Sequence, residues 1–172
     1  MKTRVTVAAL LVLIFAGTAL AQKAQVVQQD KAIDVTKFRT FSYEVGHPAI
    51  LKNVDQRIIG GIEAQLVARG LTKAASGQGD VVFTYHSVQR EDVDLSTFDE
   101  KTPAPGAMRT PAQTLKVGTL AVDLREASTR RLAWRAKIEG VLLRGDEAAQ
   151  LAAIDKGIVA VFQVYPGSKP AK

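Results

Sequence analysis

Two segments of the chain repeat apolar residues at helical spacing. In the segment 54–69, Ile58, Ile62 and Leu66 recur every four residues, so one side of a helix would be apolar. The second segment starts at Asp146 and extends to about Tyr165, and its apolar side is formed by Leu151, Ile154, Ile158, Phe162 and Tyr165. We expect both helices to pack these sides on a sheet.

Residues at the ends of these segments define the predicted helix boundaries. Asn53 is the expected N-cap of the first helix, and Gln56 three residues later completes a capping box. Gly70 supplies the left-handed residue that commonly ends a helix. Asp146 is the expected N-cap of the second helix, and Pro166 ends it.

The glycine pair at positions 60 and 61 lies inside the first predicted helix, where each glycine costs about 1 kcal/mol relative to alanine. Helical geometry places Gly61 beside the apolar side and Gly60 on the solvent side. We expect Gly61 to let a neighbouring helix approach closely. For Gly60 two interpretations remain: an exposed position without a role, or a surface that a partner approaches.

Aromatic residues and alternation predict two strands. The first is expected at 37–45, and the second at 80–89, where Val81, Phe83 and Tyr85 would face the core. His86 then lies on the wetter side of the second strand. It is interpreted as an ordinary surface histidine, with a ligand-binding or catalytic role as the alternative.

The strongest alternation lies in residues 115–143 and predicts a β-hairpin with one buried face. A three-residue loop at 128–130 puts both apolar sets on that face, because a loop of two or four residues would oppose apolar and polar positions. Its last residue, Arg130, would take the left-handed conformation that glycine normally supplies.

This register pairs Leu124 with Trp134 on the buried face and Asp123 with Arg135 on the outer face. Trp134 is expected to anchor the core, with a ligand platform as the alternative. The outer face carries four basic residues, which are our candidate anion- or partner-binding site: Arg125, Arg131, Arg135 and Lys137. A solvated face and a patch that binds lipid head groups, glycan or the acidic loop are both compatible with this pattern.

Residues 90–114 show no periodicity and contain several prolines, which predicts a long loop. The acidic first half, with Asp92 and Asp94, has only the beginning of a calcium-binding pattern, without the glycine and the glutamate that such a loop requires. No metal site is therefore predicted. A solvated loop is the main interpretation, and a partner-binding segment that orders on contact is the alternative.

The first 21 residues have the pattern of a secretory signal peptide. Lys2 and Arg4 precede about 12 apolar residues, too few for a bilayer that needs about 20. Small residues at Ala19 and Ala21 predict cleavage after Ala21. We expect a periplasmic or secreted protein of the bacterial cell envelope, with no transmembrane segment in the mature chain.

Cleavage would leave 151 of the 172 residues, the size of one domain. We expect a flexible leader at 22–35, a single α+β domain at 36–167 and a tail at 168–172. Loss of two basic residues lowers the net charge from +6 to +4. An exported protein rarely meets nucleic acid, so an envelope protein, anionic lipid or glycan is the expected partner. The chain contains no cysteine, which excludes disulfides.

Catalytic and cofactor motifs are missing from the sequence. The chain lacks the G-x-S-x-G, H-E-x-x-H and glycine-rich phosphate-binding patterns. Its two histidines, His47 and His86, have no evident nucleophile or acid beside them in sequence. We therefore expect a protein that is not an enzyme and that carries no cofactor and no metal.

The hairpin carries the motif GTLAVDL at residues 118–124 and LAWR at residues 132–135. Together with the aromatic strand at 38–43 and the helix that ends in Gly70-Leu71, this motif resembles domain-of-unknown-function family 4136, and the likeness covers most of residues 30–166. The resemblance implies a two-layer α+β fold, a four-stranded mixed sheet with two helices packed on one face. Members are mostly small envelope lipoproteins, whereas this chain lacks the lipidation cysteine and has Arg130 where a turn glycine is usual.

Two functions are consistent with these features. The chain is predicted to be a non-catalytic accessory or interaction protein of the envelope, binding another component through the long loop or the outer sheet face. The alternative is a carrier of a small apolar or lipidic ligand held between the helices and the sheet. An enclosed apolar cavity of a few hundred Å³ would favour the carrier, and a close-packed core would oppose it.

Overall fold

The computed structural model describes residues 23–93 and 114–167. In these ranges the elements are β1 Gln25–Gln29, β2 Thr40–Tyr43, α1 Lys52–Val67, β3 Thr72–Lys73, β4 Val81–Val93, β5 Thr114–Glu126, β6 Leu132–Leu143 and α2 Glu147–Gln163. A 3₁₀ turn, Val35–Lys37, precedes β2. The predicted signal peptide, most of the predicted loop at 90–114 and the predicted tail lie outside the described residues.

The six described strands lie in one mixed sheet with the order β1-β6-β5-β4-β2-β3. The pairs β1–β6, β6–β5 and β5–β4 are antiparallel, while β2 is parallel to both β3 and β4. The predicted hairpin is confirmed, because Leu124 pairs with Trp134 and Asp123 with Arg135. The predicted three-residue loop is wrong, because the amide of Glu126 bonds to the carbonyl of Arg131 and four residues, 127–130, lie between them; a bulge between Leu124 and Arg125 restores the predicted register. Arg130 has the predicted left-handed conformation, with a φ of 60°.

The prediction of a four-stranded sheet is wrong, because the sheet has six described strands, although the α+β class is correct. The segment 22–35, predicted as a flexible leader, contains β1, whose five residues are all exposed and four of which pair with β6 through the backbone. The other additional strand, β3, has two residues. Neither leaves an apolar alternation in the sequence, since main-chain hydrogen bonds hold an edge strand without buried side chains.

Both helices pack on the same face of the sheet and share one hydrophobic core. The predicted stripe of α1, formed by Ile58, Ile62 and Leu66, is buried. Trp134 is 0% exposed and packs edge-on against the ring of Tyr165, so it anchors the core as predicted. Burying a large apolar side chain stabilises a fold by about 1.5–3 kcal/mol.

The close approach of a helix at Gly61 is confirmed. A Cβ atom on Gly61 would lie 2.7 Å from Cδ1 of Ile158 in α2, which leaves no room for a side chain unless Ile158 moves. Nothing lies within 4 Å of the same position on Gly60. Gly60 is therefore open to solvent, and its use by a partner stays a prediction.

The helix ends show one error in the sequence-based boundaries. Asp146 caps α2 as predicted by accepting a backbone amide at 2.9 Å, and Gly70 has a φ of 87° after the end of α1. The capping box at Asn53 is wrong, because α1 follows Leu51, whose side chain offers no cap. Asn53 lies in the first turn instead, and its Nδ2 donates to Oε1 of Glu147 in α2 at 2.5 Å.

Candidate functional site

A cavity of about 230 Å³ lies between the helices and one end of the sheet. It forms there because β4, β5 and β6 are 12 or 13 residues long and continue past Phe83, where β2 stops pairing with β4. The floor includes Leu120 of β5 and Val141 of β6, and the walls include Ile58 of α1 and Ile154 of α2. The lining is thus mainly aliphatic.

Two glycines contribute to the open volume. Gly118 in β5 and Gly157 in α2 both line the cavity. A Cβ atom on Gly157 would lie 3.5 Å from Cγ2 of Val141, an ordinary contact distance. A methyl group therefore fits at this position, and a longer side chain would occupy the cavity.

The mouth of the cavity exposes apolar side chains to solvent. Ile50 is 99% exposed and Leu51 is 61% exposed, and both line the cavity. Large apolar side chains grouped at one surface position mark ligand or interaction sites in soluble proteins. Polar lining comes from uncharged or histidine side chains, and none of the described lining residues is Asp, Glu, Lys or Arg. The site therefore suits an uncharged, apolar group.

A buried tyrosine ties the mouth to the sheet. Tyr85 in β4 is 0% exposed, and its hydroxyl accepts a hydrogen bond from the amide of Ala49 at 3.1 Å and donates one to the carboxylate of Asp55 in α1. Burial and the bond to Asp55 raise the pKa of Tyr85 well above its ordinary value, so the hydroxyl remains a donor at neutral pH. Sequence analysis missed this tie, because Asp55 is 30 residues away and neither residue belongs to a motif.

The backbone before the mouth follows the edge of β4. A Cβ atom on Gly46 would clash with the carbonyl oxygen of Tyr85, so glycine is required for this approach. The next residue, His47, donates its amide to that carbonyl at 2.9 Å and accepts the amide of Ser87 at 3.0 Å. These bonds set residues 48–51 at the cavity.

Asp123 lies at the centre of the predicted basic surface. Its side chain is 0% exposed and accepts two hydrogen bonds from Arg135, one of them from Nε at 2.5 Å. Nη2 of Arg125 lies 3.5 Å from the same carboxylate, and Nε2 of the half-buried His86 lies 3.7 Å away. The bonds to Asp123 raise the pKa of Arg135. The structure thus brings Arg125 and Arg135 together around a buried acid.

The other two predicted site residues are paired with other carboxylates. Arg131 forms an ion pair with Asp30, directly after β1, and Nζ of Lys137 lies 2.7 Å from the carboxylate of Glu139. An anion at this surface would compete with carboxylates that the basic groups already contact. Anion or partner binding by the four residues stays a prediction.

The described ranges contain neither a cluster of metal-binding side chains nor a helix able to cross a membrane. Residues 23–93 and 114–167 contain no group of three or more His, Cys, Asp or Glu side chains arranged to hold a metal ion. Within the same ranges, neither helix has the length and the apolar character needed to cross a membrane. The cavity is the site that the geometry favours, because its apolar lining reaches solvent at Ile50 and Leu51.

Residues 25–167 match the model of a protein family described as Domain of unknown function (DUF4136). Among curated proteins, nothing matches the chain. Among solved structures, a PelC dodecamer from Paraburkholderia phytofirmans is similar at 10% identity, with 86% of this chain and 99% of that chain covered and a TM-score of 0.53. This likeness shows the fold alone.

Two further solved structures have lower TM-scores. A PelC variant from the same organism has 11% identity and a TM-score of 0.48, with 83% of this chain and 98% of that chain covered. A PDZ domain protein from Parabacteroides distasonis has 16% identity and a TM-score of 0.49 over 83% of this chain. The chain spans only 35% of the length of that PDZ domain protein.

Proposed function

The chain belongs to the DUF4136 family, a domain family of unknown function, and we propose that it is a non-catalytic binding module of the bacterial cell envelope. It holds an apolar group in the cavity between the helices and the sheet. The observation that carries this proposal is the aliphatic cavity whose mouth presents Ile50 and Leu51 to solvent.

The volume of the cavity limits what it can hold. Pockets for drug-sized ligands measure about 300–1,000 Å³, and an apolar cavity of about 150 Å³ binds benzene. A cavity of about 230 Å³ therefore accommodates a short acyl chain or one or two apolar side chains, but not a whole lipid. Transfer of such a group from water is favourable by about 25 cal/mol for each Å² buried.

Two observations support the remaining parts of the proposal. Among the described lining residues there is no Asp, Glu, Lys or Arg to act as an acid or a base. The signal peptide predicted for residues 1–21 is the reason to propose the periplasm, or the outside of the cell, as the location.

A carrier of a small apolar or lipidic ligand is the second candidate function. The position of the cavity between helices and sheet favours it. The exposed mouth argues for the binding module instead, because a carrier encloses its ligand, whereas Ile50 at 99% exposure leaves this cavity open. Binding through the outer sheet face or through the segment 90–114 remains a prediction from the sequence.

The fluorescence of N-phenyl-1-naphthylamine, which brightens when the dye leaves water, tests the cavity. We expect saturable binding of the dye and its displacement by decanoate. Gly157→Leu fills the cavity from α2 and should abolish binding, and Gly118→Val fills it from β5. The matched control Gly60→Leu adds the same side chain to a helical position with nothing within 4 Å, and it should bind normally.

Thermal unfolding shows whether each variant is folded. If folded Gly157→Leu and Gly118→Val bind the dye as tightly as the original chain, the cavity is not the binding site. If the original chain binds neither the dye nor decanoate, the proposed function fails altogether.

A further inference from the structure

The edge of β4 beside the cavity has no paired strand among the described residues. β2 pairs with β4 only at residues 81–83. Beyond them, His47 forms a bridge with His86, and the amide of Ser87 donates to the carbonyl of His47. Past Ser87, β4 continues to Val93 with β5 on one side only. Backbone groups alternate sides along a strand, so the amides and carbonyls of Gln89 and Glu91 face the open side.

The open edge and the cavity are adjacent. Ser87 and Gln89 of β4 also line the cavity. In a strand added at this edge, every second side chain would point to the helix side of the sheet. Those side chains would enter the cavity, while the backbone of the added strand paired with Gln89 and Glu91.

On the premise of the proposed function, we propose that the apolar group belongs to an extended peptide segment of a partner protein. The segment adds to the edge of β4 as a strand and inserts one or two aliphatic or aromatic side chains into the cavity. Main-chain hydrogen bonds then supply affinity, and the cavity supplies specificity.

Continuity with the existing sheet favours a peptide over an acyl chain. β2 and His47 already occupy this edge of β4, and Gln89 and Glu91 continue the same row of backbone groups. An acyl chain cannot bond to these groups, which a peptide would satisfy. The volume of about 230 Å³ also matches one or two side chains.

The charges of β4 favour a partner that differs from this chain. Side chains directly opposite each other lie on the same face of a sheet, so the residue opposite Glu91 belongs to the row that faces the cavity side. In a second copy paired through β4, that row would hold Ser87, Gln89 and Glu91, which supply neither an apolar nor a basic side chain. A partner strand with lysine or arginine opposite Glu91 would complement it instead. The expected ligand is therefore an extended segment with alternate apolar residues and a basic residue.

Synthetic peptides with one change in the backbone test the inference. The probe is a pool of acetylated, amidated hexapeptides in which threonine alternates with Leu, Ile, Val, Phe or Met, with lysine replacing one terminal residue of the apolar row so that it can lie opposite Glu91. The control pool has the same side chains but N-methylated amides at every second residue, so it cannot pair with an edge. The protein is the ¹⁵N-labelled chain from Gln22 onward. In one measurement, each pool competes with N-phenyl-1-naphthylamine for binding. In the other, NMR follows the hydrogen exchange of the Gln89 and Glu91 amides with solvent.

We expect the unmethylated pool to displace the dye at about tenfold lower concentration than the methylated pool, as the loss of two hydrogen bonds predicts. Exchange of the Gln89 and Glu91 amides should slow on binding. Glu91→Pro, which removes a donor from the open side at a residue that does not line the cavity, should weaken the peptides and leave decanoate binding unchanged.

Other outcomes separate this inference from the proposed function. Equal displacement by the two pools, or no displacement while decanoate still binds, overturns strand addition and leaves the cavity as a site for an acyl chain. Failure of the dye, decanoate and both pools removes the proposed function itself.

Discussion

Asp123 and Arg135 form a bidentate ion pair between β5 and β6, and the Asp123 side chain has no exposure to solvent. They are the acidic and the basic residue of the hairpin motif, GTLAVDL followed by LAWR, and the predicted register set them opposite each other. Arg125 and His86 complete the surroundings of the carboxylate. The motif therefore joins two strands at a buried point on the face opposite the helices.

We predict strong coupling between these two residues. Asp123→Asn should destabilise the chain by about 3 kcal/mol, because it leaves Arg135 without its counter-charge at a partly buried position. Arg135→Gln should cost a similar amount, and the double variant should cost less than the sum, by about 2 kcal/mol. Urea unfolding of the four proteins measures this. A coupling below about 0.5 kcal/mol would mean that the pair behaves like an exposed salt bridge.

The two helical glycines should respond differently to alanine. Gly60→Ala should stabilise the chain by about 0.5–1 kcal/mol, because its Cβ meets nothing and the helix interior prefers alanine. Gly61→Ala should gain less or destabilise, since its Cβ would lie 2.7 Å from Cδ1 of Ile158. Thermal unfolding of the two variants at equal pH makes the comparison. Equal stabilisation of both would show that the contact between α1 and α2 is looser than the structure indicates.

Tyr165 has a buried hydroxyl without a hydrogen-bond partner among the described residues. Burial raises the pKa of Tyr165 from 10.0 to about 12. Between these pH values the unfolded chain loses the phenol proton while the folded chain keeps it, so stability falls as the pH rises. The stability is fully present below pH 10.0 and is lost towards pH 12.

Tyr165→Phe should therefore flatten part of the alkaline loss. At pH 7 the variant should be neutral or up to about 1 kcal/mol more stable, because the hydroxyl that it removes is unpartnered. Tyr43 and Tyr85, whose pKa values are also raised, retain their own part of the pH dependence. Urea unfolding at pH 7 and pH 11 tests both parts. Destabilisation at pH 7 would reveal a partner for the hydroxyl.

The sequence predicted those parts of the fold in which buried side chains recur with the period of the helix or strand that carries them. The hairpin register follows from the apolar sets that contain Leu124 and Trp134. The loop length does not, because a bulge between Leu124 and Arg125 lets a four-residue loop serve the same register. β1 could not be predicted this way, because its exposed residues are held by backbone bonds to β6. Its addition, with that of β3, changes the sheet from four strands to six.

The candidate site could not be predicted from the sequence, for a different reason. A cavity forms where side chains leave space between secondary-structure elements. Gly157 of α2 and Leu143 of β6 both line it, and only the folded chain brings these two elements together. Arg125 and Arg135 meet at Asp123, but the pairing of Arg131 with Asp30 depends on β1, which the pattern does not show. Long-range polar contacts of this kind have no periodicity to detect.

Tyr85→Phe tests how far the cavity mouth depends on one hydroxyl. The change leaves the carboxylate of Asp55 and the amide of Ala49 without this partner, which should cost about 1–3 kcal/mol. Because the tie holds the segment 48–51 against α1, affinity for N-phenyl-1-naphthylamine should fall several-fold. The control is Tyr43→Phe, whose ring centroid lies 6.4 Å from that of Tyr85, and it should keep both properties. Lost stability with unchanged affinity would show that the backbone bonds of His47 alone hold the mouth.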